Sequence, residues 1–282
     1  MQKLLILDSN SLMNRAFYAL PPLTNDEGIH TNAIYGFTNM LLKMKDDINP
    51  DYIIAAFDRK APTFRHQEYG DYKAGRKKMP DELAEQFPLV KELLNALGIK
   101  IYELDGFEAD DIIGTTAKIA SNEGMEVYIV TGDKDALQLA DDNINVIITK
   151  KGVSETANYN KETFIKEFEV TPTQFIDVKG LMGDKSDNIP GVPGVGEKTA
   201  YKLIKEYGSI EEVLKNIDNI SGKKLKENLE TYSEQAIFSK KLATIMTEVP
   251  IDNLIEDIKV ETQINKEALK ELLTRLKMKA SL

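Results

Sequence analysis

Cysteine is absent from the 282 residues, which removes disulfides, thiolate catalysis and zinc–sulfur sites from consideration. Histidine is nearly absent: the two that occur, His30 and His66, are far apart in the chain and suggest no histidine-rich metal site. Long apolar runs are missing too. The opening MQKLLILDSN is too short for a signal peptide or a membrane span, and no later stretch approaches about 18 apolar residues, so a cytoplasmic protein that avoids membranes is expected. Positive charge is in deficit, with 36 Lys and Arg against 46 Asp and Glu and a net charge of −10. With 42% hydrophobic and 29% charged residues, the chain is an ordinary globular one, long enough for one large domain or two modest ones.

What the chain does have is acid in short motifs after apolar runs. Nine carboxylates stand in five groups: Asp8, Asp58, Glu108-x-Asp110-Asp111, Asp133-x-Asp135 and Asp184-x-x-Asp187. Taken singly, each reads equally well as a helix cap, a turn residue or a favourable charge in a first helical turn. Taken together, most fall where strands of an open parallel sheet end or helices begin, the edge at which such sheets build their sites. Converging carboxylates repel one another, and an all-oxygen set suits Mg²⁺ or Mn²⁺. The chain therefore reads as a divalent-metal enzyme. The nine also account for nearly all of the net charge, leaving the remainder almost neutral.

Charge distribution then matters more than its sum. From Arg59 to Pro80, seven basic residues face two acidic ones, interleaved with Phe64, Tyr69 and Tyr72. A solvated loop would explain a charge run of this kind, but its place directly after Asp58 and its aromatics suit a nucleic acid. Within it, Tyr72-Lys73-x-x-Arg76 would put both cations on one side if helical, where they could neutralise a scissile phosphate while Tyr72 stacks on a base. Arg15, seven residues after Asp8, is a further phosphate contact candidate, a surface ion pair being the plainer reading.

Periodicity divides the chain. Apolar runs at 4–7, 52–57, 99–104, 127–130 and 146–148 read as strands, alternating with helical patterns such as Ile34, Phe37, Leu41, Met44 and Ile48. This βαβ alternation implies a mostly parallel sheet with helices on both faces. From about residue 160 helices dominate, with a Gly/Pro-rich turn through Gly194, Val195 and Gly196 and then Lys198, Lys202 and Lys205 off the apolar stripe of the next helix. Backbone amides at such a turn can hold a phosphate closely, so the element reads as a duplex anchor indifferent to sequence. The expected division is an α/β catalytic part over 1–160, carrying a basic arch at 59–80, and a helical DNA-binding part over 161–282.

These motifs resemble the flap endonuclease family, in particular the 5′-nuclease domains of bacterial DNA polymerase I. The matching residues are Leu-Asp8-Ser-Asn, Phe57-Asp58, Gly106-Phe-Glu-Ala-Asp110-Asp111, Thr131-Gly-Asp133-Lys-Asp135 and the long stretch from Gly183-Asp184 to Gly196-Glu-Lys198-Thr-Ala. The resemblance implies a PIN-like α/β fold followed by a helix–hairpin–helix element (H3TH), with all nine carboxylates at metal-binding positions, and Tyr72, Lys73 and Arg76 in the helical arch or clamp. It implies two Mg²⁺ (or Mn²⁺) and a place for K⁺ at the hairpin. One ion would be held mainly by Asp8, Asp58, Glu108 and Asp110, the other through Asp133, Asp135, Asp184 and Asp187, with Asp111 outside them. The implied substrate is DNA with a 5′ flap, nick or free 5′ end, RNA–DNA hybrids included, cut by a monomer during replication and repair. The closing residues 273–282 resemble the junction to a polymerase domain, so the chain reads as part of a longer protein, with a stand-alone exonuclease as the alternative. Two rivals make specific demands. A haloacid-dehalogenase-like phosphatase needs a second Asp where this chain has Asn10, and a DNA-binding module without catalysis leaves the clustered acids facing a polyanion unexplained.

Overall fold

The computed structural model describes every residue except 151, 153, 253, 261, 262 and 279–282. Strand β1 (Lys3–Asp8) leads into helices α1 (Ser9–Ala19) and α2 (Asn32–Ile48), then β2 (Tyr52–Ala56). Short helix α3 (Phe64–Glu68) lies within the basic segment and α4 (Asp81–Ala84) follows it, and α5 (Gln86–Ala96) returns the chain to β3 (Lys100–Tyr102). Helix α6 (Ala109–Asn122) precedes β4 (Glu126–Thr131), β5 (Ile144–Thr149) and β6 (Thr156–Tyr159). Helices follow: α7 (Lys161–Phe168), α8 (Pro172–Met182), α9 (Glu197–Tyr207), α10 (Ile210–Lys215), α11 (Lys223–Thr231), α12 (Ser233–Ala243), α13 (Leu254–Ile258) and α14 (Lys266–Arg275).

The six strands lie in the order β3-β2-β1-β4-β5-β6, all parallel except the last pair. The sheet has helices on both faces, as the alternation predicts. Side chains of β1 divide between two cores, because successive residues of a strand face opposite ways. Leu4 and Ile6 pack with α6 and the helical half, whereas Leu5 and Leu7 pack with α1, α2 and α5. Leu269, Leu272 and Leu276 join that second core, so α14 folds back onto α5. The antiparallel strand β6 is not foreseen from the sequence: Thr156-Ala-Asn-Tyr159 is short and carries no apolar run.

This strand order places the site. The chain runs outward from β1 through β2 to β3, then crosses back to β4 on the other side of β1, which makes a switch point between β1 and β4. Open α/β sheets leave a crevice there, at the strands' carboxyl ends. Asp8 is the last residue of β1, Asp58 lies two residues beyond β2, and Asp133 two beyond β4.

A pair of glycines shapes the loop that carries Asp184 and Asp187. Asp184 and Ile189 exchange both backbone hydrogen bonds, 2.9 and 2.8 Å, closing a tight loop after α8. At its neck Gly183 (φ +72°) and Gly191 (φ +62°) touch: a Cβ on Gly191 would lie 2.3 Å from the Gly183 nitrogen. Only glycine allows both the left-handed backbone and this approach. Gly191→Ala is expected to destabilise the protein by on the order of 3 kcal/mol, combining backbone strain with a clash. Urea unfolding followed by circular dichroism checks this, and a loss under about 0.5 kcal/mol, the range of a neutral surface change, would contradict it.

Candidate metal and DNA site

Asp8 is buried at the tip of β1, accepting 2.5 Å from Thr131 Oγ1 and 3.2 Å from the Ser11 amide. Burial pushes its pKa up to about 7; the Thr131 bond opposes this, and Asp58 and Asp133 add to it. Asp58 remains open to solvent but is ordered by two contacts. Its backbone amide donates to Asn10 Oδ1 at 2.9 Å, and its Oδ1 accepts from the Ala109 amide at 2.7 Å. Partial loss of hydration against the surrounding protein raises its pKa and Glu108 adds to this, with the Ala109 bond, Lys73 and Arg76 pulling the other way.

Asp110, in the first turn of α6, is where the acids converge. Its pKa lies well above the ordinary carboxylate value, first because the site strips away water and then because Asp8, Asp133, Asp58 and Glu108 all repel its charge. Asp133 caps the turn that follows β4, accepting 2.9 Å from the Asp135 amide. Asp135 is raised to about 6 by loss of hydration and by Asp133, against the pull of Lys179. Asp184 goes the other way: bonds from Lys179 and Ser186 outweigh its desolvation and hold it below the usual range.

Cations are threaded through the group. Lys73 lies 2.5 Å from Glu108 Oε1, Arg76 pairs with Asp187, and Lys179 pairs with Asp184 and, at 2.6 Å, with Asp135. The Tyr72 hydroxyl meets Glu108 at 3.0 Å and Asp187 at 3.1 Å, tying the arch segment to both halves of the molecule. Among the described residues no three acidic side chains close into a ready-made cage for a single ion. The acids instead form a chain of neighbours, from Glu108, Asp58 and Asp8 around Asp110 through Asp133 and Asp135 to Asp184, with cations interleaved. An oxygen-only donor set whose members raise one another's pKa values is a set that divalent ions would relieve, so the residues fit the ions expected.

Two sequence expectations, a helix through Tyr72, Lys73 and Arg76 and a Tyr72 ring open for stacking, are corrected, and the other candidates have surroundings of their own. Asp111 is fully buried and spent: Arg65 grips both its oxygens at 2.8 Å, and the Glu108 and Met246 amides donate to it as well. Glu108 takes the third Arg65 contact at 3.1 Å, so Asp111 holds the neighbouring acid in place and has no oxygen free for an ion. The segment carrying Tyr72, Lys73 and Arg76 is a run of turns, with Lys73 at φ +57°; its helix stops at Glu68. Both cations still face the crevice. Tyr72 is only 4% exposed, edge-on to His66, so its ring offers no stacking platform. Val195 is buried, leaving only its backbone for a ligand, whereas Gly194, Gly196, Lys198 and Lys202 are exposed. Arg15 is half-buried and donates 3.2 Å to the Gly152 carbonyl.

Sequence reasoning missed two cations. Arg65 stood only as one charge of the basic run, yet it is 2% exposed and also donates to the Leu242 and Thr244 carbonyls. It therefore joins the arch, α6 and the end of α12, and removing it would leave Asp111 buried and unpaired. Lys179 was not singled out. The available signal was a lysine among the buried positions Phe175, Val178 and Leu181 of α8, where an exposed charge does not belong.

The raised pKa of Asp8 has a sign that can be tested. Because the folded protein holds that proton more tightly than the unfolded chain, the stabilisation is complete below about pH 4 and is lost as pH rises towards 7. In chelator, Asp8→Asn should therefore gain stability relative to the unsubstituted protein between pH 4 and 7.5, by on the order of 2 kcal/mol. Urea melts across that range measure the difference, and a difference independent of pH would contradict it.

Residues 3–169 match the family described as 5′-3′ exonuclease, N-terminal resolvase-like domain, and residues 170–266 match 5′-3′ exonuclease, C-terminal SAM fold. The chain is 55% identical over 251 residues to DNA polymerase I of Bacillus subtilis, covering 89% of this chain and 28% of that protein. It is 45% identical over 280 residues to DNA polymerase I of Caldicellulosiruptor bescii, covering 99% of this chain and 33% of that protein. It thus spans about a third or less of the length of these relatives. Among solved structures, the fold is similar to T5 D15 protein co-crystallised with metal ions (TM-score 0.70, 22% identity, 98% of this chain and 100% of that one). It is also similar to the catalytic core of Rad2 in complex with DNA substrate (TM-score 0.61, 14% identity, 98% and 88%). With its two halves matched in order by the two parts of one family, the chain belongs to the 5′-3′ exonucleases.

Proposed function

We propose that this chain is a divalent-metal-dependent, structure-specific 5′ nuclease that hydrolyses DNA phosphodiesters near 5′ ends and flaps. The observation that carries this reading is the placement of Asp8, Asp58 and Asp133 at the carboxyl ends of three adjacent strands, with Glu108 and Asp110 at the start of α6 close enough to repel them. Membership of the exonuclease family supports it, as does the likeness to a protein crystallised with metal ions and to one bound to DNA. Residues 1–160 would be the catalytic part and 161–282 the part that holds duplex. The DNA polymerase I relatives suggest a parent chain with polymerase domains, acting in the cytoplasm on flaps and RNA primers.

Asp8, Asp58, Glu108 and Asp110 would hold one Mg²⁺ or Mn²⁺, and Asp133, Asp135, Asp184 and Asp187 the other. When bound, such ions supply an activated water and stabilise the departing 3′-oxygen. The chain's own residues do the rest. Exposed Lys198 and Lys202, with the Gly194–Gly196 backbone, would anchor the duplex by its phosphates without reading sequence; a K⁺ ion could share that turn. Lys73 and Arg76 would turn from Glu108 and Asp187 to the scissile phosphate and neutralise charge as water adds to phosphorus and the P–O3′ bond breaks. Products are a 5′-phosphate and a 3′-hydroxyl. The attacked phosphate must leave the duplex to enter the crevice, so unpairing of the terminal nucleotides, costing a few kcal/mol, accompanies binding.

Asp110→Asn should lower cleavage of a 5′-flap duplex at saturating Mg²⁺ by about 10²-fold or more, the scale seen when one preorganised charge-stabilising group is lost. Its duplex affinity should stay within about threefold, because phosphate contacts set affinity. Single-turnover cleavage and fluorescence anisotropy measure the two. Undiminished cleavage would refute the assignment.

A further inference from the structure

Lys179 is 5% exposed and belongs to the last turn of α8. Its ammonium pairs with one oxygen of Asp135 at 2.6 Å and one oxygen of Asp184. The second oxygen of Asp184 is spoken for, accepting from the Ser186 amide at 2.7 Å and the Ser186 hydroxyl at 2.6 Å. The helix cannot easily carry the lysine away. Val178 and Leu181 on either side are fully buried, and Gly180 is pressed against Ile210 and Lys240 so closely that a Cβ there would lie 2.6 Å from Ile210. Burial between two carboxylates also denies the ammonium to a phosphate arriving from solvent. Lys73 and Arg76 differ: they sit on a surface turn and are partly exposed.

We propose that Lys179 is a permanent counter-cation of the Asp135–Asp184 pair, which holds these acids together and competes with a divalent ion for their oxygens. The acidic crevice is thereby divided. In the part around Asp110 only Glu108 is ion-paired among the described residues, leaving Asp8, Asp58 and Asp110 to call for an ion; in the other, Lys179 meets Asp135 and Asp184 and Arg76 meets Asp187, so that part takes its ion weakly. This rests on the divalent-ion reading above, and the test separates the two.

The full chain, stripped with chelator, is titrated with Mn²⁺ while free Mn²⁺ is followed by electron paramagnetic resonance. Lys179→Met and Lys179→Gln should bind the weaker ion about tenfold more tightly, the effect expected of removing a unit charge a few ångströms away in partly screened surroundings. Lys179→Arg, which keeps the charge, should bind as the unsubstituted protein does. Thermal midpoints give the second readout: Lys179→Met or Lys179→Gln should melt lower in chelator, and the gap should narrow at saturating Mn²⁺. Lys179→Gln keeps a hydrogen-bond donor there without the charge, should Lys179→Met not fold. Unchanged Mn²⁺ affinity in Lys179→Gln, or a midpoint loss equal with and without Mn²⁺, would overturn the proposal while leaving the ion reading intact. No Mn²⁺ binding by the unsubstituted protein would remove both.

Discussion

Repulsion among acids at one end of the sheet is the constraint on which the rest of this structure depends. Asp110 feels four other carboxylates, and in a site with little water such charges interact several times more strongly than in bulk solvent. A fold that gathers them must offset that cost. Here it is offset locally by bonds from Thr131, Ser11 and Ala109 and more broadly by Arg65, Lys73, Arg76 and Lys179. The net charge of the chain, which taken as a sum opposes a polyanionic partner, is concentrated where cations would be held.

The same interactions join the two halves of the molecule. Arg65 reaches from α3 to Asp111 in α6 and to carbonyls at the end of α12. Tyr72 and Arg76 bind Asp187, beyond α8, and the Lys73 amide donates to the Asp187 carbonyl at 2.8 Å. The basic segment is therefore tied down at the crevice, with its cations on the acids at its rim. On the proposed function, a phosphate entering there would meet groups with alternative partners at hand, and exchanging one for the other needs small movements of long side chains.

Much of this was legible in the sequence because strand and helix periods are local properties. The βαβ alternation, the ends of β1, β2 and β4, and the acids after them follow from apolar runs and the residues that stop them. The parts that escaped depend on tertiary partners. Nothing in Thr156–Tyr159 says that it pairs antiparallel with β5. Asp110 and Asp111 are adjacent and alike on paper, but the helix turns one towards the crevice and the other into Arg65. Tyr72 looks like an exposed aromatic in a basic run until the loop after α8 covers it. Lys179 was hidden because a buried lysine makes sense only once both its carboxylates are in view.

The central claim is that divalent ions bind where the acids converge, and anomalous diffraction from Mn²⁺-soaked crystals tests it most directly. The account predicts a strong peak among Asp8, Asp58, Glu108 and Asp110 and a weaker one towards Asp135 and Asp184. Peaks confined to the protein surface, with the crevice bare at millimolar Mn²⁺, would contradict it.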